Sequence, residues 1–99
     1  MISIIMYWYQ ACAFLHEYIQ SRGKCQETCY NFGRAMHQLG LYHAAIHLYK
    51  EALEMDPCIR DDGEIFDLRR EVAYNLVLIY KNSGSPLMAQ MIMQKYLTI

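Results

Sequence analysis

The sequence has no excess of basic residues. Nine Lys and Arg stand against ten Asp and Glu, for a net charge of −1. With no basic face to neutralise phosphates, direct nucleic-acid binding is excluded and any role near DNA or RNA has to run through protein partners. Cysteine is sparse. Cys12, Cys25, Cys29 and Cys58 lack the density of a disulfide scaffold, and helical positions without a secretory signal favour reduced thiols inside a cell. A long apolar run is also missing. The N-terminal stretch MISIIMYWYQACAFL has no Lys or Arg before it, is interrupted by Gln10, and is ended by His16 and Glu17, well short of the ~20 residues needed to cross a bilayer. Signal peptide and membrane span are thereby set aside for a packed apolar helix. Ser is scarce, no glycine-rich loop follows a strand, and GRAMHQLG has the wrong spacing for a phosphate loop. Enzyme chemistry is left without a site, and Glu51 and Glu54 read as a solvated helix face.

What is present is helical periodicity. Over half the residues are hydrophobic, which favours a packed unit of at most one domain over a disordered tail. Residues 26–57, QETCYNFGRAMHQLGLYHAAIHLYKEALEMDP, form a helical hairpin in one sequence unit. Phe32, Met36 and Leu39 recur at threes and fours in its first half, and Ile46, Tyr49 and Leu53 in its second. Gly40 suits the left-handed end of a helix, and Pro57, without a backbone donor, stops the second helix. Gly33, Ala45 and Ala52 are small where bulk is expected, so the two axes can approach closely.

The flanks carry further helices. Residues 2–20 read as one helix with Ile5, Trp8, Cys12, Leu15 and Ile19 in a row, closed by Ser21, Arg22 and Gly23; a short polar link over residues 23–26 follows. After CIRDDGE, Asp62 is expected to cap a helix over residues 64–82, with Glu64 in its first turn and a stripe of Ile65, Leu68, Val72, Leu76 and Ile79. Pro86 opens the last helix, which carries Met88, Ile92 and Tyr96.

Self-comparison reveals a repeat. YNFGRAMHQLG at Tyr30 aligns with YNLVLIYKNSG at Tyr74, pairing Asn31 with Asn75, Met36 with Tyr80 and Gly40 with Gly84, and then Ala45 with Ala89 and Tyr49 with Met93. The offset exceeds a period of about 34 by several residues, which fall around residues 61–66 and in extra first turns of the following helix. ACAFLHEYI at Ala11 weakly echoes AQMIMQKYL at Ala89, so the first helix reads as the second half of an incomplete repeat.

On Gly33, Ala45, Tyr49, Ala52 and Pro57, the central unit resembles a tetratricopeptide repeat, with Cys29 where that family usually has Trp. The second unit keeps Leu76, Tyr80 and Ala89 but has Val77 for the Gly and Tyr96 for the second Ala, so its helices should sit further apart. From about Ala11 onward, GRAMHQLGL, AIHLYKEALE and DLRREVAYNL make the chain similar to the C-terminal part of the tetratricopeptide subunits of transcription factor IIIC. The resemblance implies an all-α tetratricopeptide-type solenoid of about five helices. Residues 1–25 would be an orphan helix covering one end, 26–59 a complete repeat, and 60–99 a degenerate repeat with an extended first helix. It also implies a piece of a longer chain that serves as a nuclear, non-catalytic scaffold. Its partners would be other protein subunits of that factor and the RNA polymerase III machinery, with no membrane, no direct nucleic acid and no cofactor. The alternative is a free-standing peptide-binding adaptor, nuclear or cytoplasmic.

In such repeats the concave face takes ligands, and here it would present Tyr30, Asn31, Arg34, His37, Gln38, Glu71, Tyr74, Asn75, Leu78 and Lys81. Tyr gives contact area at low entropic cost and Asn can hold a peptide backbone; the competing reading is a solvated face packed on neighbouring repeats. Tyr30 stands where chaperone-binding relatives carry a Lys, which argues against a carboxylate clamp. His43 with His47 and Cys25 with Cys29 have the spacing of paired ligands, but they lie on separate helices and no metal is expected. Cys58, Arg60 and Arg69 occupy positions where a calcium loop needs oxygen ligands.

Overall fold

The computed structural model describes residues 2–59 and 62–97; the side chains of residues 2–5, 7, 8, 11, 15, 19, 22, 58 and 66 lie outside the description. Helices α1 (Ile2–Arg22), α2 (Gln26–Gln38) and α3 (Tyr42–Glu54) are followed by a small antiparallel hairpin of β1 (Cys58–Ile59) and β2 (Ile65–Phe66). Helices α4 (Arg69–Asn82) and α5 (Pro86–Ile92) complete the chain, with a π-helical turn over Met93–Leu97.

The α2–α3 and α4–α5 turns have the same construction. Gly40 has φ +77° and Gly84 φ +79°. Past α2, Gly40 N donates to the His37 carbonyl at 3.1 Å and Leu41 N to the Met36 carbonyl at 2.9 Å; past α4, Gly84 N donates to Lys81 at 3.3 Å and Ser85 N to Tyr80 at 2.8 Å. Both are Schellman closures, which satisfy carbonyls that the helix itself leaves open. The internal repeat is therefore present in the backbone as well as in the letters. α3 ends at Glu54 with Met55 extended at φ −87° and ψ 150°, as expected two residues before Pro57.

One core joins the two hairpins. Cys29 and Met36 of α2, Ala45, Tyr49, Ala52 and Leu53 of α3, Val72, Ala73, Leu76, Val77, Ile79 and Tyr80 of α4, and Ala89 of α5 are all buried. α4 packs on α3 as well as on α5, so the second unit stacks on the first as successive repeats do. This is an all-α tetratricopeptide-type architecture with a two-residue-per-strand β insertion.

Several expectations are corrected here. The fourth helix begins at Arg69 and not near residue 64, because Cys58 pairs with Phe66 and Ile59 with Ile65 across the hairpin. Its 14 residues then exceed the 13 of α2 and of α3 by only one, and the extended first helix is absent. Asp62 caps no helix: its Oδ1 accepts the Glu64 N–H at 3.0 Å within the hairpin loop, while Asp67 Oδ1 accepts the Arg69 N–H at 3.0 Å at the start of α4. Ile65 is 69% exposed and Leu39 44% exposed, so neither belongs to the core rows assigned to them.

α1 packs against α2, and its expected role as a cover for one end falls largely on side chains outside the description. Among its described side chains none is buried, and Met6, Tyr9 and Phe14 are more than half exposed. Of its predicted apolar row only Cys12, half-buried, is described; Ile5, Trp8, Leu15 and Ile19 lie outside the described side chains. The Cα radius of gyration is 14.4 Å, against about 13 Å for a compact domain of this length.

Candidate functional site

The contact that sets the first hairpin is at Gly33. A Cβ there would lie 2.6 Å from both Cδ1 and Cε1 of Tyr49, closer than carbon atoms can pack, so the residue opposite this tyrosine has to be glycine if the two helices are to stay this near. Ala45 and Ala52, one turn to either side of Tyr49, are fully buried and keep the remainder of that seam narrow. The Tyr49 ring is enclosed, 6.0 Å from the Tyr30 ring and 6.2 Å from His37, with its hydroxyl 3.4 Å from His37 Nδ1. Burial, assisted by Tyr30, pushes its phenol up to about 12. Pro57 is half-buried past α3 and Ala89 is buried in α5. In the second hairpin Val77 fills the place of Gly33, and the counterpart of Tyr49, Met93, is 39% exposed. The helix changes to π geometry over the residues that include Tyr96.

The residues expected on the concave face do not form one surface. Tyr30, Tyr74 and Asn75 come together with Arg70, Glu71 and Leu97 around a hollow of about 320 Å³. Asn75 Nδ2 donates to the Tyr30 hydroxyl at 2.9 Å and to the Glu71 carbonyl at 3.0 Å, which links α2 to α4 across the repeat boundary. The Arg34 guanidinium lies 5.7 Å over the Tyr30 ring. His37 is elsewhere, edge-on to Tyr42 at 5.8 Å, and shares a smaller hollow of about 130 Å³ with Tyr42, Ile79, Asn82 and Ser83. Asn31 is half-buried and Gln38 and Lys81 are exposed; none of the three lines either hollow.

Two features escaped the sequence reading. One is a larger, mostly aliphatic and aromatic hollow of about 810 Å³ between the two turns, lined by Leu41, Tyr42, Ile46, Ile79, Tyr80 and others. The other is Gln26, read as part of a polar link and in fact the fully buried first residue of α2. Its Oε1 accepts the Leu68 N–H at 2.9 Å, and its Nε2 donates to the Ala52 carbonyl at 3.4 Å and to Asp67 Oδ1 at 3.5 Å. The start of α2, the end of α3 and the start of α4 are thereby tied through one side chain. Its signal in the sequence was weak, because a Gln at a helix start is ordinary unless the partners forty residues on are known. Burial alone would push the Asp67 carboxyl up, but the Arg69 N–H, the Arg69 charge and Gln26 outweigh it and hold it below the usual carboxylate range. Nearby, Thr28 Oγ1 accepts the Cys25 N–H at 2.9 Å, and Lys24 Nζ bridges to Glu51 Oε1 at 3.0 Å.

His43 and His47 are both exposed on α3, and Cys29 is fully buried with its thiol pushed up by burial. Among the described residues no group of three His, Cys, Asp or Glu could hold a metal ion.

Comparison with known proteins agrees with this architecture. Residues 26–57 match the family described as tetratricopeptide repeat. The chain is 50% identical over 92 residues to the human protein "General transcription factor 3C polypeptide 3", an alignment that covers 91% of this chain and 10% of that protein. It is 43% identical over 74 residues to the Saccharomyces cerevisiae "Transcription factor tau 131 kDa subunit", covering 75% of the chain and 6% of that protein. With the Schizosaccharomyces pombe "Transcription factor tau subunit sfc4" it shares 36% identity over 102 residues, covering 89% of the chain and 10% of that protein. The chain thus spans a tenth or less of the length of these curated relatives.

Proposed function

Because this chain belongs to the tetratricopeptide-repeat family and is homologous to these transcription-factor subunits, we propose that it is a protein–protein interaction scaffold within a nuclear transcription-factor assembly, the factor IIIC that serves RNA polymerase III. The observation that carries the reading is the similarity to the human subunit, half the residues identical over nearly the whole chain. Its partners are other protein subunits. The net charge of −1 supports contact with nucleic acid only through them, and the chain acts without catalysis.

The partner-facing surface is the hollow between α2 and α4. Tyr74, 58% exposed, supplies apolar area that a partner can cover. The Asn75–Tyr30 bond holds two of the lining groups in place before anything binds, which reduces the ordering cost of association. Affinity purification of the tagged chain from nuclear extract should bring down other subunits of the same factor, identified by mass spectrometry. Tyr74→Ala should lower that recovery by about tenfold, the loss of roughly 1.4 kcal/mol expected for an exposed aromatic at the centre of an interface. Recovery of none of those subunits with the parent chain would sink the scaffold reading. Unchanged recovery with the variant would move the interface away from this hollow.

A further inference from the structure

The β1–β2 hairpin is foreign to the repeat. It occupies the stretch by which the second unit lags a period of about 34 residues, and it uses that insertion to form a ribbon where a helical solenoid needs only a turn. Its cross-strand pair Ile59 and Ile65 is apolar, and both side chains face solvent, 73% and 69% exposed. Among the described residues around them the free charge is acidic: Asp56, Asp62 and Glu64 are exposed, while Asp67 is paired with Arg69 at 3.3 Å. The described part of the loop has local order. Asp62 Oδ1 takes the Glu64 N–H, and Gly63 turns the chain at φ +86°.

We propose that this hairpin is a second docking element, separate from the hollow between α2 and α4, whose Ile59–Ile65 pair seats in an apolar depression rimmed by Lys and Arg on a partner protein. The charge decides the class of partner. Carboxylates flanking an apolar knob attract a basic rim and steer its approach. They repel both the phosphates of a nucleic acid and the anionic headgroups of a membrane. A side-by-side Ile pair has the shape of an anchor at the centre of a small interface, with the acidic residues as its rim. The element extends the scaffold reading but does not use the groove, so the two can fail separately.

A photo-crosslinking residue introduced at position 59 of the chain, activated in cells and mapped by mass spectrometry, tests the proposal. The expected result is an adduct to one other polypeptide whose attached segment carries Lys or Arg beside the attachment point. The same adduct should fall at least about threefold when lysate is irradiated near 1 M salt, where the Debye length shrinks to roughly 3 Å. It should fall similarly in the doubly charge-reversed chain, Asp62→Lys with Glu64→Lys, and persist in Tyr74→Ala. Circular dichroism of the charge-reversed chain checks that its helices are intact. Adducts confined to the chain itself or a second copy, adducts to nucleic acid or lipid, an adduct indifferent to salt and charge reversal, or no adduct would each overturn it.

Discussion

At Gly33 two opposing effects can be weighed. Replacing a mid-helix glycine by alanine favours the helix by about 1 kcal/mol. The added methyl, however, would meet the body of the Tyr49 ring at 2.6 Å, and that ring is enclosed by Tyr30 and His37 and cannot swing aside. Overpacking costs roughly 1 to 3 kcal/mol, so Gly33→Ala should lower the urea midpoint slightly and Gly33→Leu strongly. In a Tyr49→Leu background the alanine penalty should vanish; an unchanged penalty would mean the clash lies elsewhere. Tyr49 also makes stability depend on pH. Its folded phenol titrates at about 12, above the ordinary value near 10, so the neutral form is favoured in the folded state. That contribution is complete below pH ~10 and is lost as the pH rises through ~12. Denaturant midpoints taken across that window should decline, and Tyr49→Phe should flatten part of the decline. The small residues of this seam were readable because glycine and alanine among bulky neighbours are conspicuous in one dimension. Gln26 was not, since its meaning lies in partners at Ala52, Asp67 and Leu68. Gln26→Leu should cost about 1 to 3 kcal/mol by leaving the buried Leu68 N–H without an acceptor, read as a drop in the calorimetric transition.

Among elements, the helices that bury one face were legible from the threes and fours, and their ends from Gly40, Gly84 and Pro86. The stretch before α4 departs from its helical periodicity for a physical reason. Ile65 continues the periodic row of Leu68, Val72, Leu76 and Ile79, and periodicity alone cannot distinguish the first turn of a helix from a two-residue strand. Cross-strand pairing with Ile59 took precedence, and Asp67 with Gln26 then fixed the start of α4. α1 shows the converse. Its helical character follows from sequence, but the surface it packs against does not. Replacing the exposed Met6, Tyr9 and Phe14 together by Ser should therefore change the unfolding free energy, read from denaturant titration, by no more than about 1 kcal/mol. A loss of several kcal/mol would show that α1 contributes to the core.

For the whole molecule, the Cα extents of 45 × 40 × 14 Å describe a slab with little interior per unit of surface. Met6, Tyr9, Phe14, Leu87 and Met91 are each more than half exposed, on a molecule with a net charge of −1. Large exposed apolar area with little charge repulsion favours association, so the isolated chain should elute in sizing chromatography as concentration-dependent oligomers. A monodisperse monomer would show that these side chains can remain in water without a partner. The placement of one side chain governs how the slab bears load. A stack of helical hairpins acts as a spring whose compliance is the sum of its joints. Gln26 bolts three helix ends together at the joint between α3 and α4, so this joint should be stiff in torsion. Strain applied along the stack would then pass through these two hairpins as through a rigid link, and bending would concentrate at the thinly packed junction of α1 and α2.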